Sequence, residues 1–259
     1  MGESFVVRSF FRTFAPMKQA MIFAAGLGTR LKPLTDTMPK ALVRVGGEPL
    51  LKRVVLNLKA AGFERIIVNV HHFAQQIIDY LEENQYFGVD IRISDERERL
   101  LETGGGIKKA LPLFDANSPI LIHNVDILSN VDVCSFYEQA RGNAATLLVS
   151  ERQTKRYLLF DEQMRLNGWT NVETGEVRSP YPDLDTACLT PLAFSGIHVI
   201  SPSLFPCFEE MPERFGIIDF YLKWCSTYPL KGMKMENLRL VDVGKLDTLS
   251  EAEIFINKM

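Results

Sequence analysis

The sequence predicts an α/β protein of the Rossmann-like, doubly wound kind, in which a mostly parallel sheet carries helices on both faces and a small antiparallel β insertion. Three observations predict this class. Apolar runs alternate with amphipathic helical segments through the first 150 residues. The first run, residues 20–25, has no polar alternation, which is typical of a strand buried on both faces. Beyond residue 150 the pattern changes to short strands joined by turns.

The elements of the first half follow in the order strand, helix, strand. An apolar stripe at helical spacing predicts a helix at 50–61, which Gly62 ends. Further strands are predicted at 65–70, 89–93, 120–123 and 145–149, and further helices at 74–83, from about 104, and at 134–140. The carboxyl ends of parallel strands meet at one edge of such a sheet, so we expect the functional residues there.

The second half begins with the insertion. Short strands are predicted at 157–160, 165–170 and 176–178, and a strand at 194–200 returns to the central sheet. Residues 203–228 have a helical pattern in two pieces, and a final helix is predicted at 248–257. Residues 1–17 precede the first strand as an N-terminal extension, and Met17 is the better candidate for the native start.

A glycine-rich loop follows the first strand and carries the clearest functional signal. Gly26 and Gly28 allow a tight turn whose backbone N–H groups can approach phosphate. Arg30 and Lys40 bracket the loop with positive charge, so the stretch predicts a polyphosphate cradle. Leu31 stands where the dinucleotide-binding fingerprint needs a third glycine, and the Gly-Lys-Ser/Thr of a Walker A loop is also missing.

Two other features point to ligands. Gly104, Gly105 and Gly106 lie between a strand and a helix, where so much lost backbone entropy suggests close approach of a nucleotide base; alternatively, Thr103 caps that helix. Asp126 follows a buried strand at its carboxyl end, where a carboxylate can hold Mg²⁺ or simply cap the next turn.

Composition limits the partners. A net charge of −3 gives no electrostatic footprint for nucleic acid, and no apolar run reaches the ~18 residues of a membrane span. The cysteines contain no Cys-x-x-Cys pair, which favours reduced thiols in a cytoplasmic protein and argues against a zinc site; they are Cys134, Cys188, Cys207 and Cys225. We expect a monomer or a small homo-oligomer.

Residues 26–35 and 38–43 resemble the signature of the sugar-1-phosphate nucleotidyltransferases, which have the nucleotide-diphospho-sugar transferase fold. The run Leu-Glu-Thr-Gly-Gly-Gly-Ile at 101–107 is similar to uridylyltransferases acting on N-acetylmuramate 1-phosphate and to mannose-1-phosphate guanylyltransferase-like proteins. The resemblance implies that Arg30 and Lys40 balance charge at the reacting phosphates. It implies nucleotide contacts from Ala24, Ala25, Gly26, Leu27, Gly28, Thr29, Glu102, Thr103, Gly104 and Gly105.

The same resemblance implies the other ligands of the site. Asp242, in Leu240-Val241-Asp242-Val243-Gly244, resembles the family's second metal ligand beside Asp126, with Mg²⁺ as cofactor. Contacts to the sugar phosphate are implied for Asn124, Asn171, Glu173 and Gly196, although a solvated turn is the favoured interpretation of Asn171 and Glu173. The chain departs from the family at Val125, where glycine is usual, and at Lys245, where threonine is typical.

The function implied is Mg²⁺-dependent transfer of a nucleotidyl group from an NTP to a sugar 1-phosphate, in nucleotide-sugar synthesis for the cell wall. UTP with N-acetylmuramate 1-phosphate or a related amino-sugar phosphate is placed ahead of GTP with mannose or heptose 1-phosphate. We expect one domain, 18–259, with a nucleotide-binding half, 18–150, and a sugar-phosphate-binding half, 151–259. An inactive relative that binds nucleotide sugars remains an alternative, and a nicotinamide-dependent oxidoreductase is disfavoured by Leu31.

Overall fold

A computed structural model of the protein describes residues 17–258. Except for Met17, the predicted N-terminal extension lies outside the described residues. The strands are Gln19–Phe23 (β1), Arg44–Val45 (β2), Glu48–Pro49 (β3), Arg65–Val70 (β4), Asp90–Asp95 (β5), Ile120–Asn124 (β6), Ile127–Ser129 (β7), Ala145–Ser150 (β8), Arg156–Phe160 (β9), Leu166–Asn171 (β10), Glu176–Arg178 (β11), Thr190–Ile200 (β12), Leu230–Met233 (β13) and Leu240–Asp242 (β14). The α-helices are Leu50–Ala60 (α1), Ala74–Glu83 (α2), Glu102–Ala110 (α3), Val133–Gln139 (α4), Ile217–Trp224 (α5) and Asp247–Ile256 (α6).

The central sheet is mostly parallel and confirms the predicted fold class. Strand β1 lies between β6 and β4, and β5 pairs with β4 on the far side, all four strands being parallel. On the other side of β6 the sheet continues through β12, which is antiparallel, to β8 and β13. The carboxyl ends of β1, β4, β5 and β6 therefore lie along one edge of the sheet.

Helices cover both faces of this sheet, as a doubly wound fold requires. Ala20 and Ile22 face one hydrophobic core, which also contains buried residues of α1, α2, α4 and α6. Met21, between them in the strand, faces the opposite core with buried residues of α3 and α5. Because successive strand residues point to opposite faces, one apolar run supplies both cores, which explains why it lacks polar alternation.

The predicted antiparallel insertion is also present. Strands β9, β10 and β11 form a meander that joins the central sheet through the first residues of β12. The long strand β12 serves both parts: Leu192 pairs with β9, and residues 197–200 pair with β6. The register of β12 against β8 shifts between Phe194 and His198. Gly196, with φ +73°, lies within this irregularity, where a positive φ favours glycine.

One predicted region was wrong in its first part. The segment 203–228 was expected to be helical in two pieces, but only α5 is an α-helix, and Pro202 and Pro206 each begin a single 3₁₀ turn. Because proline has no backbone N–H, it cannot donate the hydrogen bond that continues an α-helix. The short strand β13, which pairs in parallel with β8, was missed. Within residues 17–258, no helix is both long and apolar enough to cross a membrane.

Candidate active site

A cavity of about 570 Å³ opens at the carboxyl ends of β1, β4 and β6. The strand register places Phe23 beside Asn69 on one side and Asn124 on the other. The chain segments that leave these strands form the walls. Of the predicted site residues, the cavity wall includes Ala24, Ala25, Gly26, Leu27, Gly28, Thr29, Arg30, Lys40, Glu102, Thr103, Asn124 and Asp126.

The glycine loop after β1 is held by hydrogen bonds at both ends. The Ala24 N–H donates to Asn69 Oδ1 at 2.8 Å, and the Gly28 carbonyl accepts from the Thr35 hydroxyl at 2.8 Å. Gly28 has φ +66°, and a Cβ there would lie 2.8 Å from Thr35 Cγ2. A Cβ at Gly26 would meet nothing within 4 Å. The turn therefore requires glycine at 28, while Gly26 faces open space.

Two aspartates from distant parts of the sequence lie together beside this loop. Asp242 ends β14 and pairs with Ile127 of β7, and the Val243 N–H donates to the Asp126 carbonyl at 2.8 Å. Lys40 is 8% exposed and forms an ion pair with Asp126 Oδ2. The structure thus brings Lys40, Asp126 and Asp242 into one charged cluster.

Arg30 completes that cluster. A Cβ at Gly244 would lie 2.7 Å from Asp242 Oδ1 and 3.0 Å from Arg30 Nη2, so the two charged groups approach the same point. Burial raises the pKa of the Asp242 carboxyl, and the negative charge of Asp126 raises it further. The charges of Lys40 and Arg30 act in the opposite direction. Glycine at 244 leaves the space that this arrangement needs.

The two carboxylates fit a cation that is shared with a phosphate ligand. Within the described part of the chain, no group of three or more His, Cys, Asp or Glu side chains could hold a metal by itself. Mg²⁺ typically uses one or two carboxylates and takes its remaining ligands from water and substrate phosphates. Asp242 Oδ1 is buried without a hydrogen-bond partner, as expected of an oxygen that would coordinate a cation.

The N-terminus of α3 forms the opposite wall. Glu102 has φ +64°, an uncommon conformation for a residue other than glycine, and its carboxylate pairs with Arg214 at 2.8 Å. The Thr103 hydroxyl accepts from the Ile217 N–H at 2.9 Å. The alternative in which Thr103 caps its own helix is therefore wrong, because Thr103 instead satisfies a backbone donor at the start of α5.

The glycine triplet lies inside α3, and protein contacts account for it. A Cβ at Gly104 would overlap the Phe215 ring, and one at Gly105 would overlap the Glu213 carbonyl. The Gly104 and Gly105 N–H groups both donate to the Phe215 carbonyl, at 2.9 and 3.1 Å. Neither glycine lines the cavity. The sequence predicted that some group closely approaches these glycines. The segment before α5 is that group, so the glycines do not require a nucleotide base.

The predicted sugar-phosphate contacts divide into two groups. Asn124 lines the cavity, and a Cβ at Gly196 would overlap its side-chain amide, so these two residues are in contact. Asn171 and Glu173 do not line the cavity. Asn171 Oδ1 accepts from the Glu173 N–H at 3.1 Å within an exposed turn, and Glu173 pairs with Lys155 at 2.6 Å. Their geometry is that of turn residues.

Val125 and Lys245, which depart from the family pattern, are accommodated differently. Val125 is 4% exposed and belongs to the hydrophobic core of α1 and α2, while its N–H donates to the Phe23 carbonyl at 3.2 Å. Lys245 is exposed, and its N–H donates to the Thr248 hydroxyl at 3.3 Å, at the start of α6. Val125 thus extends the core up to the cavity wall.

Sequence reasoning missed two polar residues of the cavity, Asn69 and Glu96. Both are almost completely buried, and Asn69 Nδ2 donates to Glu96 Oε1 at 2.7 Å. Burial raises the pKa of the Glu96 carboxyl. Asn69 lies near the carboxyl end of β4, and Glu96 directly follows β5. Polar residues at the ends of buried strands were the available signal.

Comparison with known proteins agrees with this architecture. Residues 19–158 match the family "Nucleotidyl transferase". The chain is 34% identical over 234 residues to the N-acetylmuramate alpha-1-phosphate uridylyltransferase of Caulobacter vibrioides, across 85% of this chain and 90% of that protein. It is 33% identical over 258 residues to the mannose-1-phosphate guanyltransferase of Kluyveromyces lactis, across 93% of this chain and 65% of that protein.

Among solved structures, HddC from Yersinia pseudotuberculosis in complex with GMP-PN superposes with a TM-score of 0.74 at 24% identity, covering 93% of this chain and all of that chain. At that identity the likeness shows the fold alone, which is the nucleotide-diphospho-sugar transferase fold. The chain belongs to the nucleotidyl transferase family, and the enzyme class predicted from the sequence, nucleotidyltransferase, is confirmed.

Proposed function

We propose that this protein transfers a nucleotidyl group from an NTP to a sugar 1-phosphate, giving an NDP-sugar and pyrophosphate, with Mg²⁺ as cofactor. The observation that carries the proposal is the convergence of Arg30, Lys40, Asp126 and Asp242 beside one cavity at the carboxyl edge of the sheet. Two cations next to two carboxylates suit a site in which anionic substrates and a divalent cation meet.

In this mechanism, an oxygen of the sugar 1-phosphate attacks the α-phosphorus in line. A phosphorus–oxygen bond forms there, and the bond from the α-phosphorus to the bridging oxygen breaks, so that pyrophosphate leaves with the electron pair. The attacking group is already an anion, so no protein nucleophile or base is needed. The chain must instead bring two negatively charged substrates together, which demands fixed positive charge at the reacting phosphates.

Each part of the cavity has a role in this proposal. The glycine loop wraps the triphosphate, with Arg30 and Lys40 neutralising the developing charge. Asp126 and Asp242 would hold Mg²⁺, which when bound would supply further positive charge to the phosphate oxygens. We assign Glu102 and Thr103, which line the opposite wall, to the base. We assign Asn124, which lines the cavity, and Gly196, which contacts it, to the sugar phosphate, with Asn171 and Glu173 as weaker candidates for that role.

For the substrates, we propose UTP with N-acetylmuramate 1-phosphate or a related amino-sugar phosphate. Support comes from the Caulobacter relative, which carries this activity in its name and aligns over 90% of its length. The alternative is GTP with mannose or heptose 1-phosphate, which the similarity to the Kluyveromyces guanyltransferase favours. The Kluyveromyces alignment covers 65% of that longer protein, so it weighs less.

A second alternative is an inactive relative that binds nucleotide sugars and regulates another protein. An inactive protein would not need to retain the charged residues of an active site. Here all four charged groups are present and adjacent, namely Arg30, Lys40, Asp126 and Asp242. We therefore place it last. The cytoplasm and cell-wall precursor synthesis are the setting that we propose for the enzyme, and we propose a monomer or a small homo-oligomer.

The test is a pyrophosphate-release assay in which each of UTP, GTP, CTP, dTTP and ATP is combined with a set of sugar 1-phosphates, with and without Mg²⁺. We expect turnover with UTP and N-acetylmuramate 1-phosphate. Asp126→Ala and Lys40→Ala should each lower the rate ~10²-fold or more while the protein still unfolds cooperatively. Lys59→Ala, at the exposed end of α1, is the matched control. Wild-type rates in both site variants would refute the proposal.

A further inference from the structure

A chain of hydrogen bonds joins the glycine loop to the loop before α3. The Ala24 N–H donates to Asn69 Oδ1 at 2.8 Å, and Asn69 Nδ2 donates to Glu96 Oε1 at 2.7 Å. Glu96 Oε2 then accepts from the Leu101 N–H at 3.2 Å. Ala24 lies at the start of the glycine loop, on the side of the cavity assigned to the triphosphate. Leu101 directly precedes Glu102 and Thr103 on the opposite wall. Two side chains thus connect the opposite walls.

This connection is built into the fold. Glu96 is 0% exposed and Asn69 is 2% exposed, although both line the cavity. The backbone of Glu96 is fixed on both sides, because its N–H donates to the Val70 carbonyl at 2.8 Å and its carbonyl accepts from His71 Nδ1 at 2.7 Å. A Cβ at Gly106 would lie 2.9 Å from Glu96 Oε1 and 3.2 Å from Asn69 Nδ2. The third glycine of the triplet therefore makes room for this pair.

The chain of hydrogen bonds permits only one assignment of donors and acceptors. Both of its ends are backbone N–H groups, which can only donate. The carboxamide oxygen of Asn69 must therefore face Ala24, and its NH₂ must face Glu96. Glu96 receives a donor at each oxygen, and an ionised carboxylate satisfies both. An isosteric change at either position leaves two donors or two acceptors facing each other.

We propose that Asn69 and Glu96 are positioning residues that hold the glycine loop and the loop before α3 at a fixed separation, so that the triphosphate and the base of one NTP meet preformed contacts. This inference rests on the proposed function, because it assumes that an NTP spans the two loops. Asn69 and Glu96 act through the backbone of Ala24 and Leu101, and neither needs to touch the reacting atoms. Their loss should therefore weaken NTP binding more than it slows the bound reaction.

The test is an isosteric exchange of the acid and the amide. In Glu96→Gln, one NH₂ faces a donor, and in Asn69→Asp two carboxylates face each other. In the double variant Asn69→Asp/Glu96→Gln, Asp at 69 accepts from Ala24 and from the Gln NH₂, and the Gln oxygen accepts from Leu101. All three hydrogen bonds are then restored, and the negative charge has moved from position 96 to position 69. Shape and volume are unchanged throughout.

We expect Glu96→Gln to raise the KM for UTP, and the Kd for UTP measured by calorimetry, about tenfold, the cost of one broken hydrogen bond. Asn69→Asp should raise both constants at least as far, because it also places two buried carboxylates against each other. The double variant should return both constants to within about threefold of wild type. The KM for the sugar 1-phosphate should change by less than about twofold in all three variants, because the acceptor does not span the two loops. The same constants are measured for GTP, and the variants are compared with wild type for the nucleotide that the wild-type enzyme uses.

Glu83→Gln, an exposed acid-to-amide change on α2, is the control and should leave both constants unchanged. The melting temperature of every variant is measured as well. A purely structural role predicts that the loss of UTP affinity follows the loss of stability. Unchanged UTP constants in the single variants, or a double variant as poor as the worse single one, would overturn the positioning role alone. A wild type that neither binds nor turns over any NTP would overturn the proposed function and this inference together.

Discussion

Asp126 and Asp242 are neighbours because two short strands pair: Asp242 lies opposite Ile127, and the Val243 N–H donates to the Asp126 carbonyl at 2.8 Å. This relationship joins two acidic segments, of which Asp126 was predicted from its position after a buried strand and Asp242 from the family resemblance. Lys40 compensates Asp126, whereas Asp242 Oδ1 is buried and has no hydrogen-bond partner within the described residues. The second carboxylate is therefore held in a costly position by the surrounding fold.

Asp242→Asn is expected to separate function from stability. Removing the charge should lower the rate of pyrophosphate release ~10²-fold or more, since one member of the charged cluster is lost. The melting temperature without Mg²⁺ should stay equal or rise, because burial and the charge of Asp126 raise the pKa of this carboxyl and so make its ionised form unfavourable in the folded protein. Asp247→Asn, an exposed change on α6, is the control. A marked fall in melting temperature would mean that Asp242 is structural.

Gly196→Ala is expected to disturb the sugar-phosphate side of the cavity. The variant forces a Cβ into the Asn124 amide at a position with φ +73°, so Asn124 must move. We expect a KM for the sugar 1-phosphate at least about tenfold higher, with a smaller change in the KM for the NTP.

Gly175→Ala is the matched control for that substitution. It carries the same backbone strain, with φ +71°, but its Cβ would meet nothing within 4 Å, and it lies in the exposed turn after β10. Any effect common to both variants is due to strain, and the difference between them reports the Asn124 contact. Equal KM values for the sugar 1-phosphate in the two variants would contradict the role of Gly196.

Much of the fold followed from local patterns. The run 20–25 has no polar alternation because Met21 and its neighbours supply opposite cores, so its burial could be predicted from the letters. The glycine turn and Asp126 each follow a strand of the parallel sheet, where the class of sheet fixes their position. Family resemblance then related Asp242 to Asp126, although only the pairing of β14 with β7 brings them together.

What failed depended on contacts between distant segments. The glycine triplet predicted close approach, but nothing in its own sequence says that the approaching group is Phe215. Threonine is a residue type that commonly caps helices, yet the Thr103 hydroxyl accepts from the Ile217 N–H of α5. The position of α5 is set by tertiary packing. Asn69 and Glu96 were missed because two separate strand ends must be adjacent before their hydrogen bond exists.

Substitutions of two glycines separate packing from ligand contact. Gly104→Ala would push a Cβ into the Phe215 ring and should lower the free energy of unfolding by about 1–3 kcal/mol, the usual cost of overpacking. Gly26→Ala places its methyl in open space on the cavity wall, so its stability should match wild type while the KM for the NTP rises. Urea unfolding and initial rates measure the two effects. A stable Gly104→Ala protein with only a nucleotide-binding defect would restore the base-contact interpretation.

Two buried histidines make the fold sensitive to acid. His198 Nδ1 forms a hydrogen bond with the Tyr221 hydroxyl, and both side chains are buried in the core of α5. Burial lowers the pKa of His198 to about 3 and that of His123 to about 4. Both rings are therefore neutral in the folded protein at neutral pH, whereas in the unfolded chain they gain protons near pH 6.5.

The sign of the resulting pH effect is fixed by this difference. Between the folded and unfolded pKa values the unfolded chain binds more protons, so the stabilising contribution is complete above about pH 6.5 and is lost as the pH falls. His198 alone should account for a loss of about 2 kcal/mol between pH 7 and pH 5. In His198→Phe/Tyr221→Phe, which removes both hydrogen-bonding groups, we expect the acid-induced loss to be smaller than in wild type by that amount, while His123 keeps its share. Urea unfolding at pH 5 and pH 7 measures it, and equal losses in the two proteins would show that His198 is protonated in the folded state.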